Sequence, residues 1–383
     1  MTKSFETKVV HNKWKQEAGA INSKTTPIYQ TSVFSFQSLN EMESYFDGEA
    51  PYLYSRNGNP NTDELGQAVA ELEGAPSGIA TSSGMSAILC GILAAVGHGG
   101  HIVAADDLYG GTFQLLTKEL KEFGIDVTLV SFDDPDAVEN AIGERTELLY
   151  SESVTNPFLR VENIKNLVDM ADRYQLKTMV DNTFATPYLL QPFQEGVDLV
   201  VHSATKYIGG HSDVSAGVLA GRNDLVEAAR GKAVALGANL SPFEAWLAHR
   251  GLKTLALRMR QQAENADYVA ESLRNHADIQ HVYYPAYVSE KGNGAIITIE
   301  LSERCDMDAF FSSLGWIKIV PSLAGVETTV SYPKGTSHRA LTEEQRQKIG
   351  INARVVRVSI GIEGAKDIVE QLTSAVENSL SEE

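Results

Sequence analysis

A lysine follows a buried-looking strand in the stretch DLVVHSATKYIGGHSD, residues 198–213. The apolar run Leu199, Val200, Val201 ends in two hydroxyl residues, Ser203 and Thr205, and then Lys206. Ammonium groups are seldom buried unpaired. A lysine at such an exit has its pKa pulled down, and the neutral amine can attack a carbonyl to form a Schiff base. The neighbouring hydroxyls are placed to hydrogen-bond a phosphate ester. Together they suggest a lysine that holds pyridoxal 5'-phosphate (PLP), an electron sink for carbanion chemistry on amino acids. A surface lysine beside a strand end is the simpler alternative that this stretch by itself leaves open.

A PLP site needs four further groups: an acid at the pyridine nitrogen, a phosphate cradle, a ring-stacking side chain and an anchor for the substrate carboxylate. Asp181, in TMVDNTF, can supply the acid, although an aspartate at a strand end also caps turns. Ser83-Gly84-Met85 leads straight into an apolar helical run. Glycine there lets backbone approach a ligand, and the free N–H groups of a helix start bind phosphate; an ordinary Ser-Gly turn is the alternative. Tyr109, in DDLYGGT, stands between strand and helix, where its ring could stack on a cofactor or merely pack. Arg357 alternates with Val356 and Val358, so it faces away from their core side and could meet a carboxylate with its planar fork, or simply solvent.

These residues must be positioned by a substantial fold. At 383 residues the chain suits two domains in close contact. Acidic residues outnumber basic ones, 50 to 32, for a formal charge of -18. That excess argues against nucleic acid or an anionic membrane as partner, since both are met by basic patches. The two cysteines, Cys90 and Cys305, lack metal-ligand spacing and suit a reducing cytoplasm. No stretch at the N-terminus has the apolar core of a signal peptide, and the most apolar run, 85–96, is too short to span a bilayer.

Residues 1–60 show little periodicity, and so long an irregular segment is better explained as an arm packed on another subunit. Asn61 with Glu64 fits a helix start, and Gly74 its stop. From Ile79 to about Gly221, short apolar strands alternate with amphipathic helices; the strands are expected at 101–105, 127–132, 147–151, 178–181, 198–202 and 217–220. Such alternation indicates a largely parallel sheet with helices on both faces, whose ligands bind beyond the carboxyl ends of the strands. Asp181 and Lys206 both stand at such ends. Ser241-Pro242-Phe243-Glu244 starts a long helical pattern running to about residue 276, with a break expected at Gly251. A smaller α/β domain follows, with strands at 294–301, 316–320 and 355–360 and helices at 307–314 and 365–380. The expected division is an arm at 1–60, a PLP-binding domain at 61–240 and a C-terminal domain at 241–383.

Over nearly its full length the chain resembles the trans-sulfuration PLP enzymes of cysteine and methionine metabolism, which include cystathionine γ-lyase, cystathionine γ-synthase, methionine γ-lyase and the homoserine-ester sulfhydrylases. The stretches that carry the resemblance are TTPIYQTS, YSRNGNPN, ELEG, TSSGMSAI, LYGGT, ESVTNP, VDNTFATP, HSATKYIGGHSDV, RGLKTLALRM, SLAGVET and VRVSIGIE. Their number, order and spacing are far more specific than any one of them.

The resemblance implies the aspartate aminotransferase-like fold (fold type I): a large domain with a mostly parallel, seven-stranded type of sheet, plus the smaller C-terminal α/β domain. It implies Lys206 as the Schiff-base lysine and Asp181 as the pyridinium partner. Gly84, Met85, Ser203 and Thr205 would hold the phosphate, joined by Tyr54 and Arg56 from a neighbouring subunit. Tyr109 would stack on the ring and assist proton transfer. Asn156, Ser322 and Arg357 would orient cofactor and substrate carboxylate, and Glu327 stands where γ-acting relatives often carry an acid. A homotetramer built from dimers that share active sites is implied as well.

The activity implied is γ-elimination on a sulfur amino acid, with γ-replacement on an O-acyl-homoserine next and methionine γ-lyase activity after it. Gly111 stands where methionine γ-lyases usually have cysteine. A short AYVSEKGNG follows the YYP motif in place of a long insertion, and SYPKGTSHRAL replaces a commoner threonine-histidine segment, so the leaving group stays open. Two rivals belong to other classes. A non-catalytic regulator with this fold is disfavoured by an intact set of Lys206, Asp181, Tyr109 and Arg357. A nicotinamide dehydrogenase lacks its glycine fingerprint after the first strand.

Overall fold

The computed structural model describes residues 3–11, 23–339 and 342–380. Seven strands build the larger sheet: β1 (Ser77–Thr81), β2 (His101–Ala105), β3 (Asp126–Val130), β4 (Thr146–Glu152), β5 (Lys177–Asp181), β6 (Leu199–Ser203) and β7 (Gly217–Gly221). Their spatial order is β1-β7-β6-β5-β4-β2-β3. The five strands from β3 to β6 are parallel, and β7 runs antiparallel to both β6 and β1.

Side-chain alternation explains why these strands read as continuous apolar runs. Ile102, Leu148, Met179, Leu199 and Val201 fill the core on one face, under the helix Gly84–Ala95. Val103, Leu149, Val180 and Val200 fill the core on the other, with Ile164 and Leu167 of the helix Ile164–Tyr174. Both faces are covered, as a parallel sheet requires. The carboxyl ends of β4, β5 and β6 carry Glu152, Asp181 and Ser203, with Lys206 one turn further on.

A second sheet follows: β8 (Ile279–Tyr283), β9 (Ile296–Leu301), β10 (Lys318–Ile319), β11 (Thr329–Ser331) and β12 (Val355–Ser359) in the order β10-β11-β12-β9-β8. Ile297, Ile299, Val356 and Val358 pack on the helices Leu255–Leu273 and Ala365–Glu377. Arg357 therefore points off the opposite face, beside Ser331 and Thr298 in register. The mostly parallel large sheet with a smaller C-terminal sheet is the fold type I arrangement expected from the resemblance.

Four local expectations need correction. The first long helix runs Pro60–Glu73 and is capped by Asn59, not Asn61, because Pro60 takes the first helical position. Asn61 and Glu64 instead hold the arm. Asn61 Oδ1 accepts Tyr29 N at 2.8 Å, Asn61 Nδ2 donates to Pro27 O at 2.9 Å, and Thr26 Oγ1 donates to Glu64 Oε1 at 2.7 Å. The arm is not wholly irregular, since Phe5–Val10 and Leu39–Phe46 are helices; residues 12–22 of it lie outside the described set. The break in the long helical pattern comes at Lys253-Thr254, not Gly251. Of the amphipathic helices expected between the strands, the one that follows β2 is not a regular α-helix but contains a π-helical turn, Leu115–Glu119. No helix among the described residues is long and apolar enough to cross a membrane.

Candidate active site

A cavity of about 480 Å³ opens at the carboxyl ends of β4, β5 and β6, within the size range of small-molecule sites. Nine of the residues singled out from sequence line it: Gly84, Met85, Tyr109, Asn156, Asp181, Ser203, Thr205, Lys206 and Arg357. Ser322 joins them through a hydrogen bond to the lysine.

At one end lies the start of the helix Gly84–Ala95. Ser83 caps it, its Oγ accepting from Ser86 N at 3.1 Å. Ala87 N closes the first turn on Ser83 O, so the amides of Gly84 and Met85 precede the ladder and are available to an anion. Only glycine fits at position 84, because a Cβ there would stand 2.8 Å from Ser203 Cβ and 3.0 Å from Ser203 Cα. This close approach brings the Ser203 hydroxyl and the helix start together. Thr205 is fixed beside them, its Oγ1 accepting from Ala216 N at 3.0 Å.

Asp181 ends β5, and its Oδ1 accepts from Thr183 N at 2.9 Å. Burial pushes its carboxyl above the ordinary range, against the Thr183 hydrogen bonds and the nearby His202. Lys206 Nζ donates to Ser322 Oγ at 2.8 Å. Burial first, and the Arg357 charge second, lower its amine to about 8. Arg357 is 3 % exposed and donates from Nη1 to Asn156 Oδ1 at 2.9 Å, while its buried Nε has no partner. Desolvation lowers this guanidinium to about 10. Tyr109 is 42 % exposed, and its ring lies against Gly111, where a Cβ would come within 2.5 Å of Tyr109 Cε1. Glycine at 111 is thus the space the tyrosine occupies.

The donor set fits PLP. A buried arginine with an orphaned N–H wants a carboxylate, a half-buried aspartate desolvated by its surroundings wants a cation, and a glycine-lined helix start wants a phosphate. The amine poised near 8 sits among them.

Three sequence candidates stand elsewhere. Tyr54 and Arg56 lie in the arm, the guanidinium 5.5 Å from the tyrosine ring centroid, and neither lines the cavity of its own chain. Glu327 points away to Lys318 Nζ at 3.6 Å and is half exposed. Conversely, Glu152, Thr183, Thr336 and Ser337 line the cavity and were not singled out one by one. Thr183 had a readable signal, its place two residues past Asp181 at a strand end; Glu152 is set beside Asp181 only by strand pairing, and the other two sit in the segment 331–341, noted only as replacing a commoner threonine-histidine segment. Among the described residues there is no cluster of three or more potential metal ligands.

Comparison with known proteins covers nearly the whole chain. Positions 6–377 match the family model described as Cys/Met metabolism PLP-dependent enzyme. Cystathionine β-lyase of Lactococcus lactis is 38 % identical over 98 % of this chain and 99 % of its own length. L-methionine γ-lyase of Porphyromonas gingivalis is likewise 38 % identical, over 99 % of this chain and 98 % of its own. The crystal structure of cystathionine γ-lyase from Lactobacillus plantarum complexed with L-serine superposes with a TM-score of 0.92 at 34 % identity, covering 98 % of this chain and 99 % of that one.

Proposed function

Because the chain belongs to the Cys/Met metabolism PLP-dependent enzyme family, we propose that it cleaves a carbon–sulfur bond of a sulfur amino acid by γ-elimination, with cystathionine as the first substrate to test. The observation that carries this reading is the meeting, in one cavity, of a lysine amine lowered to about 8 with a buried arginine whose Nε is unpartnered. A second reading, β-elimination from the same substrate, is favoured by the 38 % identity to a cystathionine β-lyase.

Bound in this cavity, PLP supplies an electron sink conjugated to the substrate Cα. The chain's residues do the rest. The amides of Gly84 and Met85, with Ser203 and Thr205, hold the phosphate. Asp181 would keep a proton on the ring nitrogen, and Tyr109 would supply the stacking face. Arg357, aligned by Asn156, binds the substrate carboxylate and so fixes the Cα–H bond relative to Lys206. Ser322 aims the Lys206 amine, which takes the Cα proton. Near pH 8 that amine can accept and return protons with little driving force lost, and a base of this kind contributes about 10²–10⁴-fold. Tyr109 assists proton transfer at the side chain, and Glu327 would have to leave Lys318 to meet the distal end of the substrate.

The remaining parts of the reading concern assembly. Residues 1–60 act as the arm toward a neighbouring subunit, 61–240 as the cofactor domain and 241–383 as the C-terminal domain. Exposed Val33, Leu39, Phe46 and Tyr54 on the arm support a subunit contact, through which Tyr54 and Arg56 reach the neighbour's phosphate. The working form is a cytoplasmic homotetramer of such dimers; both described cysteines are free thiols, in keeping with a reducing compartment.

Products decide between the readings. Purified holoenzyme is incubated with cystathionine, methionine, homocysteine, or O-acetyl- or O-succinyl-homoserine, with and without cysteine. With one water taken up, γ-elimination of cystathionine gives 2-oxobutanoate, ammonia and cysteine, whereas β-elimination gives pyruvate, ammonia and homocysteine. A thioether from the ester with cysteine, and no keto acid from cystathionine, would replace the lyase reading by γ-replacement.

A further inference from the structure

Glu152 has a place in the cavity that the mechanism above does not use. It ends β4 directly opposite Asp181 in the parallel register, so the two side chains project to the same side of the sheet, and both line the cavity. Its Oε1 accepts from Tyr109 N at 2.7 Å, which ties the loop carrying the ring-stacking tyrosine to the sheet. We propose that Glu152 is a positioning residue for both groups: it holds the Tyr109 backbone as a neutral acid, and it leaves the negative charge of the buried carboxyl pair to Asp181. This inference rests on the roles given to Asp181 and Tyr109 above.

Two carboxyls set opposite one another on adjacent strands, on the same side of the sheet and out of water, oppose each other's ionisation. Asp181 has the better claim to the charge, through the Thr183 N–H and a nearby His202. Glu152 faces less help. Asp107 and Asp181 both disfavour its charge, and Tyr109 contributes a single amide. Arg160, the cation on this side, is engaged by Asp107 at 2.7 and 2.8 Å and by Glu162 at 3.1 Å. Tyr150, two residues back on β4, is buried and carries no charge to offer. Burial and Asp181 push the Glu152 carboxyl well above the ordinary range.

The holoenzyme tests this in two ways. The infrared difference spectrum between wild type and Glu152→Gln at neutral pH should contain the C=O stretch of a protonated carboxyl; ionised carboxylate bands alone would overturn the proposal. Glutamine keeps a neutral acceptor for Tyr109 N, so the circular dichroism induced in the bound cofactor should persist. Glu152→Leu removes the acceptor, and should weaken that dichroism and speed cofactor release about tenfold, the loss expected for one buried hydrogen bond. Equal losses in both variants, or none in either, would overturn it. If the leucine variant does not fold, the infrared band and the glutamine variant decide. A wild-type protein without any cofactor chromophore would remove the underlying site reading as well, and is recognisable as that separate failure.

Discussion

Replacing Arg357 by methionine should make the protein more stable and nearly inactive at once. The side chain is 3 % exposed, bonded to Asn156 Oδ1, with a buried Nε that has no partner. Its guanidinium is lowered from the ordinary arginine value to about 10, mainly by desolvation. That displacement corresponds to roughly 3 kcal/mol of unfavourable burial that the fold carries when the site is empty of substrate. Methionine has a similar length and no charge, so the unliganded protein should melt about 2–4 °C higher, after allowing for the acceptor left on Asn156. Catalysis moves the other way. A buried carboxylate–guanidinium pair loses about 3–4 kcal/mol when one partner is truncated, so kcat/KM should fall about 10²–10³-fold, mostly through KM. Arg357→Lys keeps the charge but not the fork and should fall between the two. Calorimetry with steady-state kinetics on the same samples reads both effects. A variant that is less stable with unchanged KM would refute the assignment of Arg357 as the carboxylate anchor.

The pH dependence of cofactor uptake follows from Lys206. Its amine is lowered to about 8, and only the neutral form is nucleophilic, so the rate at which cofactor-free protein binds PLP should rise with pH around a midpoint near 8 and level off above it. Stopped-flow absorbance over pH 6–10 checks this, and a midpoint near the ordinary lysine value would contradict the burial of the amine. Gly84→Ala places a methyl 2.8 Å from Ser203 Cβ. It should destabilise the protein by about 1–3 kcal/mol and weaken cofactor affinity at least about tenfold, measured by denaturant titration and equilibrium dialysis. Normal affinity would take the helix start out of the phosphate site.

Much of the large sheet was legible because its strands are apolar on both faces and bounded by clear helices. The strand at 101–105 was read with its observed ends, and Leu199–Ser203 to within one residue. Where local signals were thin, reading failed. β1 is made of small residues, SGIAT; β8 exposes Gln280 and His281; β11 has three residues. Their pairing is set by neighbours far along the chain. The asparagine assignment at the first long helix missed by two positions because Asn59 and Asn61 are both good capping residues, and Pro60 decides between them.

The site divides in the same way. Asp181, Lys206 and Arg357 were recoverable from alternation and strand ends, which say where a side chain points. Glu152 was hidden in plain composition, since nothing local marks a glutamate as lying beside Asp181; the pairing of β4 with β5 does that. The roles proposed for Tyr54 and Arg56 depend on a second subunit, and Glu327 turns to Lys318, on a strand paired beside the one that follows it.

The central claim is that one lysine carries the cofactor. Borohydride reduction of the holoenzyme fixes the cofactor to its amine, and digestion with mass spectrometry locates it. The account predicts loss of the visible chromophore and a pyridoxyl phosphate mass on the peptide containing Lys206, absent in Lys206→Arg. A label on another lysine, or a purified protein that takes up no PLP, would contradict it.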